Sequence, residues 1–232
     1  ADASSSRKRT CGWFVQIASA LIAVTGILNL LGWFGDIEAF KSVLPGTTTM
    51  RPNTGLCFVL GGVALWTSRL VAIGCATPLQ RQLRWASVGL LNLIAWITVG
   101  EYVFNVEAGI DSLLYSAPGL ADRQMRMAFA TAIAFALSGS ALYFLPGKRV
   151  HTRWISQVGG FLSALIGLIS TIGYLYDVTD LYRLYSFTPV AAHTAVMLML
   201  LGLGIVFART DFGFAALVIS QGSGGFLARR IL

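Results

Sequence analysis

Residues 13–34 read WFVQIASALIAVTGILNLLGWF, opening and closing on a tryptophan–phenylalanine pair with no charged side chain between. As an α-helix this stretch rises about 33 Å, enough to cross the roughly 30 Å hydrocarbon core of a bilayer. It is too long for the apolar region of a secretory signal, and no small-residue cleavage pattern follows it. Uncharged apolar stretches recur at 53–68, 85–100, 127–145, 154–176 and 189–208, the shorter ones spanning only with their flanking residues. The expectation is an all-α polytopic membrane protein of six transmembrane helices.

Composition agrees with that expectation. Of 232 residues, 56% are hydrophobic and 12% charged, with a mean hydropathy of +0.71. Such a chain lacks the polar surface of a soluble enzyme, and it has too much apolar surface for disorder. Cys11, Cys57 and Cys75 are odd in number and lack metal-like spacing, so neither a disulfide framework nor a zinc site is expected. The net charge of +7 is read as a determinant of orientation, with no nucleic-acid partner.

With six crossings, Arg7, Lys8, Arg9, Arg69, Arg81, Arg84, Lys148, Arg149, Arg153, Arg209, Arg229 and Arg230 share one face with Asp2 and Asp211, for a sum of +10. The other face sums to −3 and holds Lys41, Arg51, Arg123, Arg126 and Arg183 against eight acids. The excess of lysine and arginine marks the cytoplasm, so both termini are expected inside a bacterial inner membrane. Trp13, Trp85 and Trp154 open three spans at the inner interface, and aromatic residues such as Trp33, Tyr102 and Tyr174 close them at the outer one. The divisions are a cytoplasmic segment 1–12, a six-helix domain 13–209 and a cytoplasmic or interfacial segment 210–232. Hairpins fall at about 13–68, 85–145 and 154–208.

The hairpins look alike. Gly32-Trp33-Phe34-Gly35-Asp36, Gly100-Glu101-Tyr102-Val103-Phe104-Asn105 and Gly173-Tyr174-Leu175-Tyr176-Asp177 end the three outgoing helices. Segments of mixed polarity follow, long enough for short amphipathic helices at the interface. The return helices then carry Thr54, Thr131 and Thr194, each followed by small residues: Gly61-Gly62, Ser138-Gly139-Ser140 and Gly202-Leu203-Gly204. Small residues one turn apart let helix backbones approach closely in lipid, and the threonines are expected to hydrogen-bond one turn back or across helices. Asp36, Asn105 and Asp177 are read as caps, with capping of the following segment preferred.

The string Met50-Arg51-Pro52-Asn53-Thr54-Gly55-Leu56-Cys57-Phe58-Val59-Leu60-Gly61-Gly62 resembles the membrane-embedded N-terminal regions of bacterial sensor histidine kinases and diguanylate cyclases. So do Phe187-Thr188-Pro189-Val190-Ala191-Ala192-His193-Thr194-Ala195 and the closing Gly222-Ser223-Gly224-Gly225-Phe226-Leu227-Ala228-Arg229-Arg230. The resemblance implies a sensor that passes a signal to a cytoplasmic output domain, as a homodimer or in a larger membrane assembly. The chain has no phosphoacceptor helix, ATP-binding glycine box or cyclase motif, so it is expected to be a non-enzymatic sensor fragment without its output.

Ionisable groups at membrane depth are costly and therefore informative. Glu101 has two readings, a pocket between hairpins with Arg126 or Arg51, and simple contact with headgroup water. Arg126 is read first as facing solvent or lipid phosphate, with Asp122 one turn away. His193 is read as hydrogen-bonded to a neighbouring helix, ahead of a proton sensor or a single-histidine contact to haem or pigment. A bis-histidine haem is excluded because His151 lies on the opposite face. No catalytic set or metal site is expected, and Ser220–Gly225 lacks the strand and lysine of a phosphate loop. Arg51, Glu101, Arg126 and His193 are the signal-sensing candidates. The alternative function is an accessory subunit of a membrane complex that binds lipid, quinone or pigment; a transporter is a weaker third.

Overall fold

The computed structural model describes residues 3–42, 48–110, 114–115, 125–176, 178 and 189–219, and no strand occurs among them. The helices are α1 (Ala3–Phe34), α2 (Glu38–Lys41), α3 (Pro52–Ala72), α4 (Pro78–Phe104), α5 (Phe129–Phe144), α6 (Val150–Leu175), α7 (Ala192–Phe207) and α8 (Gly213–Ile219). Four are long and apolar enough to cross a membrane: Lys8–Phe34 within α1, then α3, α4 and α6. Helices α5 and α7 are apolar but shorter.

Their surfaces are inside-out relative to a water-soluble bundle. In α6, Ser156, Gln157, Gly160, Ser163, Gly167 and Ser170 are buried, while Trp154, Val158, Phe161, Leu165, Leu168 and Ile172 are exposed. Helix α1 exposes Ile17, Leu21, Val24, Leu28 and Leu31 along one stripe and buries Ser19 and Asn29. In water this would be untenable. In hydrocarbon it is favourable, because large side chains face lipid while small and polar ones pack and hydrogen-bond inside. The protein is therefore a helical membrane protein.

Helix α1 packs along α3, α4 against α3 and α5, and α6 against α5 and α7, with α1 also touching α7. Helices α3, α5 and α7 meet one another at the centre. There Phe58 and Phe135 make an edge-on ring contact at 4.9 Å, above fully buried Leu65, Leu142, Leu198, Leu201 and Ile205.

Helix boundaries differ from the apolar stretches in an instructive way. Helix α4 begins at Pro78, seven residues before the uncharged stretch, because Thr77 and Gln80 form a capping box and Pro78 takes the first turn. Charge marks where a span enters the headgroups, and the helix runs on through it. For the same reason α1 continues back to Ala3, into the segment set apart as 1–12.

Candidate functional site

One end of the bundle is organised by three equivalent closures. Helices α1, α4 and α6 each finish with an amide bonded five residues back: Ile37 N–H to the Gly32 carbonyl (2.9 Å), Val106 to Glu101 (3.2 Å) and Val178 to Gly173 (2.8 Å). This is the 6→1 bond of a helix ending in a left-handed residue. Asp36 and Asn105 supply that residue, each with φ of 52°. Asp36 therefore finishes α1; its carboxylate holds Lys41, and α2 has Ile37 at its N-cap with no side-chain cap, contrary to the expected capping of the following segment. Asp177 lies outside the described residues.

The aromatic residue four places before each amide donor forms a clamp. Trp33 Nε1–H donates to the Met50 carbonyl (2.7 Å), Tyr102 O–H to Met127 (2.8 Å) and Tyr174 O–H to Val190 (2.5 Å). Each acceptor stands four residues before Thr54, Thr131 or Thr194. Every bond thus ties the end of one helix to the residue just before the N-cap of the next long helix. Cations lie over two of these rings, Lys41 Nζ at 5.2 Å from Trp33 and the Arg126 guanidinium at 5.3 Å from Tyr102.

The closures differ at one position. Where the first and third have Gly32 and Gly173, the second has Glu101, 3% exposed. Its Oε1 accepts the Ala108 N–H at 2.7 Å, and Arg126 Nε lies 3.3 Å from its Oε2. Arg126 Nη2 also donates to the Val106 carbonyl at 3.2 Å. Both side chains are buried: Glu101 pairs with Arg126 of its own helix pair, and Arg126 does not face solvent or lipid phosphate. Asp122 lies outside the described residues. The connection held this way reaches α3 and α1, where Ile110 accepts from Asn53 Nδ2 (3.3 Å) and Tyr115 packs on the Trp33 ring (5.2 Å). Beneath it is a cavity of about 190 Å³ lined by Asn53, Leu56, Leu93, Ile94, Ile97, Ile110 and Leu114.

Arg51 stands at the N-cap of α3 on the same rim, half-buried. His193 is half-buried in the first turn of α7, and its buried Nε2 has no hydrogen-bond partner among the described residues, so the expected bond to a neighbouring helix is not made there. Among the described residues, no three His, Cys, Asp or Glu side chains group as metal ligands.

The packing residues converge well. Gly62, Gly139 and Gly202 lie eight residues after the three threonines, and each faces the partner helix of its own pair. A Cβ on Gly62 would stand 2.6 Å from the Ser19 carbonyl, on Gly139 2.9 Å from the Asn92 side chain, and on Gly202 2.4 Å from the Ala164 nitrogen. Gly61 and Gly204 instead face Leu201 and Leu65 across the centre, and Ser138 Oγ donates to Ser163 Oγ at 2.7 Å. Thr54, Thr131 and Thr194 are all buried. Bonds one turn back are made by Ser19, Thr67, Thr98 and Thr171.

At the basic end, two arginines read only as orientation signals have structural roles. Buried Arg84 donates through Nε to Ser68 Oγ (3.1 Å) and through Nη2 to the Leu142 (3.2 Å) and Tyr143 (2.7 Å) carbonyls. Arg209 Nη1 reaches the Leu145 (3.3 Å) and Gly147 (3.0 Å) carbonyls and pairs through its other nitrogens with Asp211. Both cap the C-terminal end of α5, where unsatisfied carbonyls carry negative partial charge. The readable signal was the Thr77–Gln80 capping box, which places Arg84 nearly two turns inside a helix.

No family model matches this chain, and no solved structure matches it. It is similar to NADH-quinone oxidoreductase subunit M of Rickettsia typhi (strain ATCC VR-144 / Wilmington), at 24% identity over 201 residues. The match covers 79% of this chain and 36% of that protein, so the chain spans about a third of the relative's length.

Proposed function

We propose that this chain is a non-catalytic helical module of a larger membrane assembly, crossing a bacterial inner membrane six times as three hairpins of one design. The similarity to a protein named as a subunit of an oxidoreductase carries the assembly reading. The recurrent closures, aromatic clamps and matched glycines support the hairpin repeat. Helices α5 and α7 cross with the help of the extended residues at their outer ends. The charge asymmetry supports a cytoplasmic position for both ends of the chain. In this role the module packs against partner subunits and holds lipid, quinone or pigment between them.

The test has two arms. Tags at the two ends should be equally protected in sealed right-side-out vesicles and equally accessible in inverted ones. On native gels after mild solubilisation, the chain should migrate in a species much larger than its own 24.9 kDa plus detergent. Opposite tag behaviour refutes the six-span topology; migration as a lone chain refutes the assembly.

A second reading, a sensory module coupled to a cytoplasmic output domain, is favoured by the rim around Glu101. The Glu101–Arg126 pair secures a connection that touches the neighbouring hairpin, so a signal binding one state of that pair more tightly would shift hairpin packing. In that case the reading frame beyond Leu232 continues into kinase or cyclase sequence. Alanine at Arg51, Glu101, Arg126 and His193 would then alter the response without preventing insertion.

A further inference from the structure

We propose that the outer face of α4 and α5 is a binding groove for one anionic glycerophospholipid, its phosphate at Arg81 and Arg84 and an acyl chain running toward the bilayer centre. This rests on the reading of the chain as membrane-spanning, with the start of α4 at a headgroup layer.

Two clefts share a wall. One, of about 310 Å³, lies beside Arg81, Arg84 and Pro146, and the other, of about 400 Å³, beside Gly89, Asn92 and Trp96. Trp85, Tyr143 and Phe144 line both, so the clefts are contiguous along α4. From Trp85 to Trp96 the helix rises about 16 Å, close to the roughly 15 Å hydrocarbon depth of a single leaflet. The groove therefore has the length of one lipid leg below one headgroup.

Chemistry changes along it as a lipid requires. At the mouth Arg81 is exposed, and Arg84 is fixed by Ser68 and two carbonyls, with no hydrogen bond from its Nη1 to the described residues. Both lie in the first two turns of α4, with Arg81 one turn before Arg84. Deeper in, Asn92 Nδ2 donates to the Val88 carbonyl and its Oδ1 accepts from Ser140 Oγ, so the polar groups of the floor are tied up within the helix pair while the walls are apolar and aromatic. A Cβ on Gly89 would meet nothing within 4 Å, leaving the groove open at its middle. A partner helix is a poorer occupant, because beside Gly89 and Ser140 the bulky Trp85, Trp96, Tyr143 and Phe144 keep a second backbone from close approach, and the arginines at the mouth call for an anion.

The test is native mass spectrometry of the full chain after equilibration with equimolar phosphatidylglycerol and phosphatidylcholine. With about 1 kcal/mol for each of two arginines, phosphatidylglycerol should be retained roughly thirtyfold over phosphatidylcholine. Arg81→Gln should lower that preference about fivefold. Gly89→Leu, which fills open space and leaves the fold intact by circular dichroism, should cut bound phosphatidylglycerol by about tenfold or more. Equal retention of the two lipids overturns the proposal, whether the groove then stays empty or holds a quinone or a protein helix. Retention unchanged in Gly89→Leu overturns it too, since charge alone would then explain binding. If Arg81→Gln fails to fold, the wild type still decides. Chain-brominated phosphatidylglycerol must quench tryptophan fluorescence more than brominated phosphatidylcholine, and equal quenching overturns the proposal. Recovery of the chain in water without detergent would instead refute the membrane reading beneath it.

Discussion

Trp33 donates its indole N–H to the Met50 carbonyl at 2.7 Å, and Asn29 Nδ2 reaches the same oxygen at 3.1 Å. A side chain near the end of one helix thereby sets the entry of the next, and Tyr102 and Tyr174 do the same in the other pairs. Trp33→Phe, Tyr102→Phe and Tyr174→Phe keep an aromatic ring and delete only the donor. Each should cost about 0.6–1 kcal/mol, or roughly 2–4 °C in a thermal melt in detergent. Three unchanged melts would mean that the rings act only as interface anchors.

Glu101 and Arg126 form a buried pair, so removing one member strands the other. Glu101→Gln and Arg126→Met should each destabilise by about 3–5 kcal/mol, and the double variant by clearly less than their sum. A double-mutant cycle read by denaturation should give a coupling of about 1–3 kcal/mol. A coupling near zero would show that the pair is no unit, and the sensory reading of the rim would lose its basis.

The glycines separate into classes that substitution can tell apart. Gly202→Ala drives a methyl to 2.4 Å from backbone atoms of α6 and should cost about 1–3 kcal/mol. Gly89→Ala meets open space in mid-helix and should stabilise by up to about 1 kcal/mol. Gly204→Ala meets the flexible tip of Leu65 and should fall between them. Equal effects at all three would contradict the seam geometry.

Outside the spans, Lys41 bonds Asp36 at 2.5 Å and Glu38 at 2.9 Å. The hydrogen bond from Lys41 lowers the Asp36 carboxyl below its usual range, and the bonds to Asp36 and Glu38 raise the Lys41 ammonium. The Asp36 contribution is present above about pH 4 and is lost as pH falls through its depressed folded value. The Lys41 contribution is present below about pH 10 and is lost as pH rises through its elevated value. Fluorescence of Trp33, beneath the Lys41 ammonium, should report the acid loss, and Asp36→Asn should flatten that limb. An unaltered acid limb in that variant assigns the change elsewhere.

Much of the fold was legible because lipid imposes simple rules. The uncharged run at 13–34, the threonines at 54, 131 and 194, and the small residues behind them sit where the helices and seams are found. The site was less legible. An aromatic residue at headgroup depth is explained well enough as an anchor, so the bonds of Trp33, Tyr102 and Tyr174 could be seen only once their acceptors were placed. Glu101 aligned one place away from its structural equivalents, because the 6→1 amide bonds and not the flanking glycines set the register. Arg84 and Arg209 were hidden for a similar reason. In sequence a capping arginine looks the same as one that only adds charge beside a span, and only the carbonyls of another helix distinguish them.

Arg84 therefore allows the sharpest separation of charge from geometry. Its Nε and Nη2 serve Ser68, Leu142 and Tyr143 together, a set that a guanidinium fork can meet and a single ammonium cannot. Arg84→Gln should cost about 1.5–3 kcal/mol through the stranded carbonyls at the end of α5. Arg84→Lys keeps the positive charge yet should recover only a minor part of that loss. Hydrogen exchange should accelerate first in the last turn of α5, ahead of α4 itself. Full rescue by lysine would reduce Arg84 to its charge and remove the capping role.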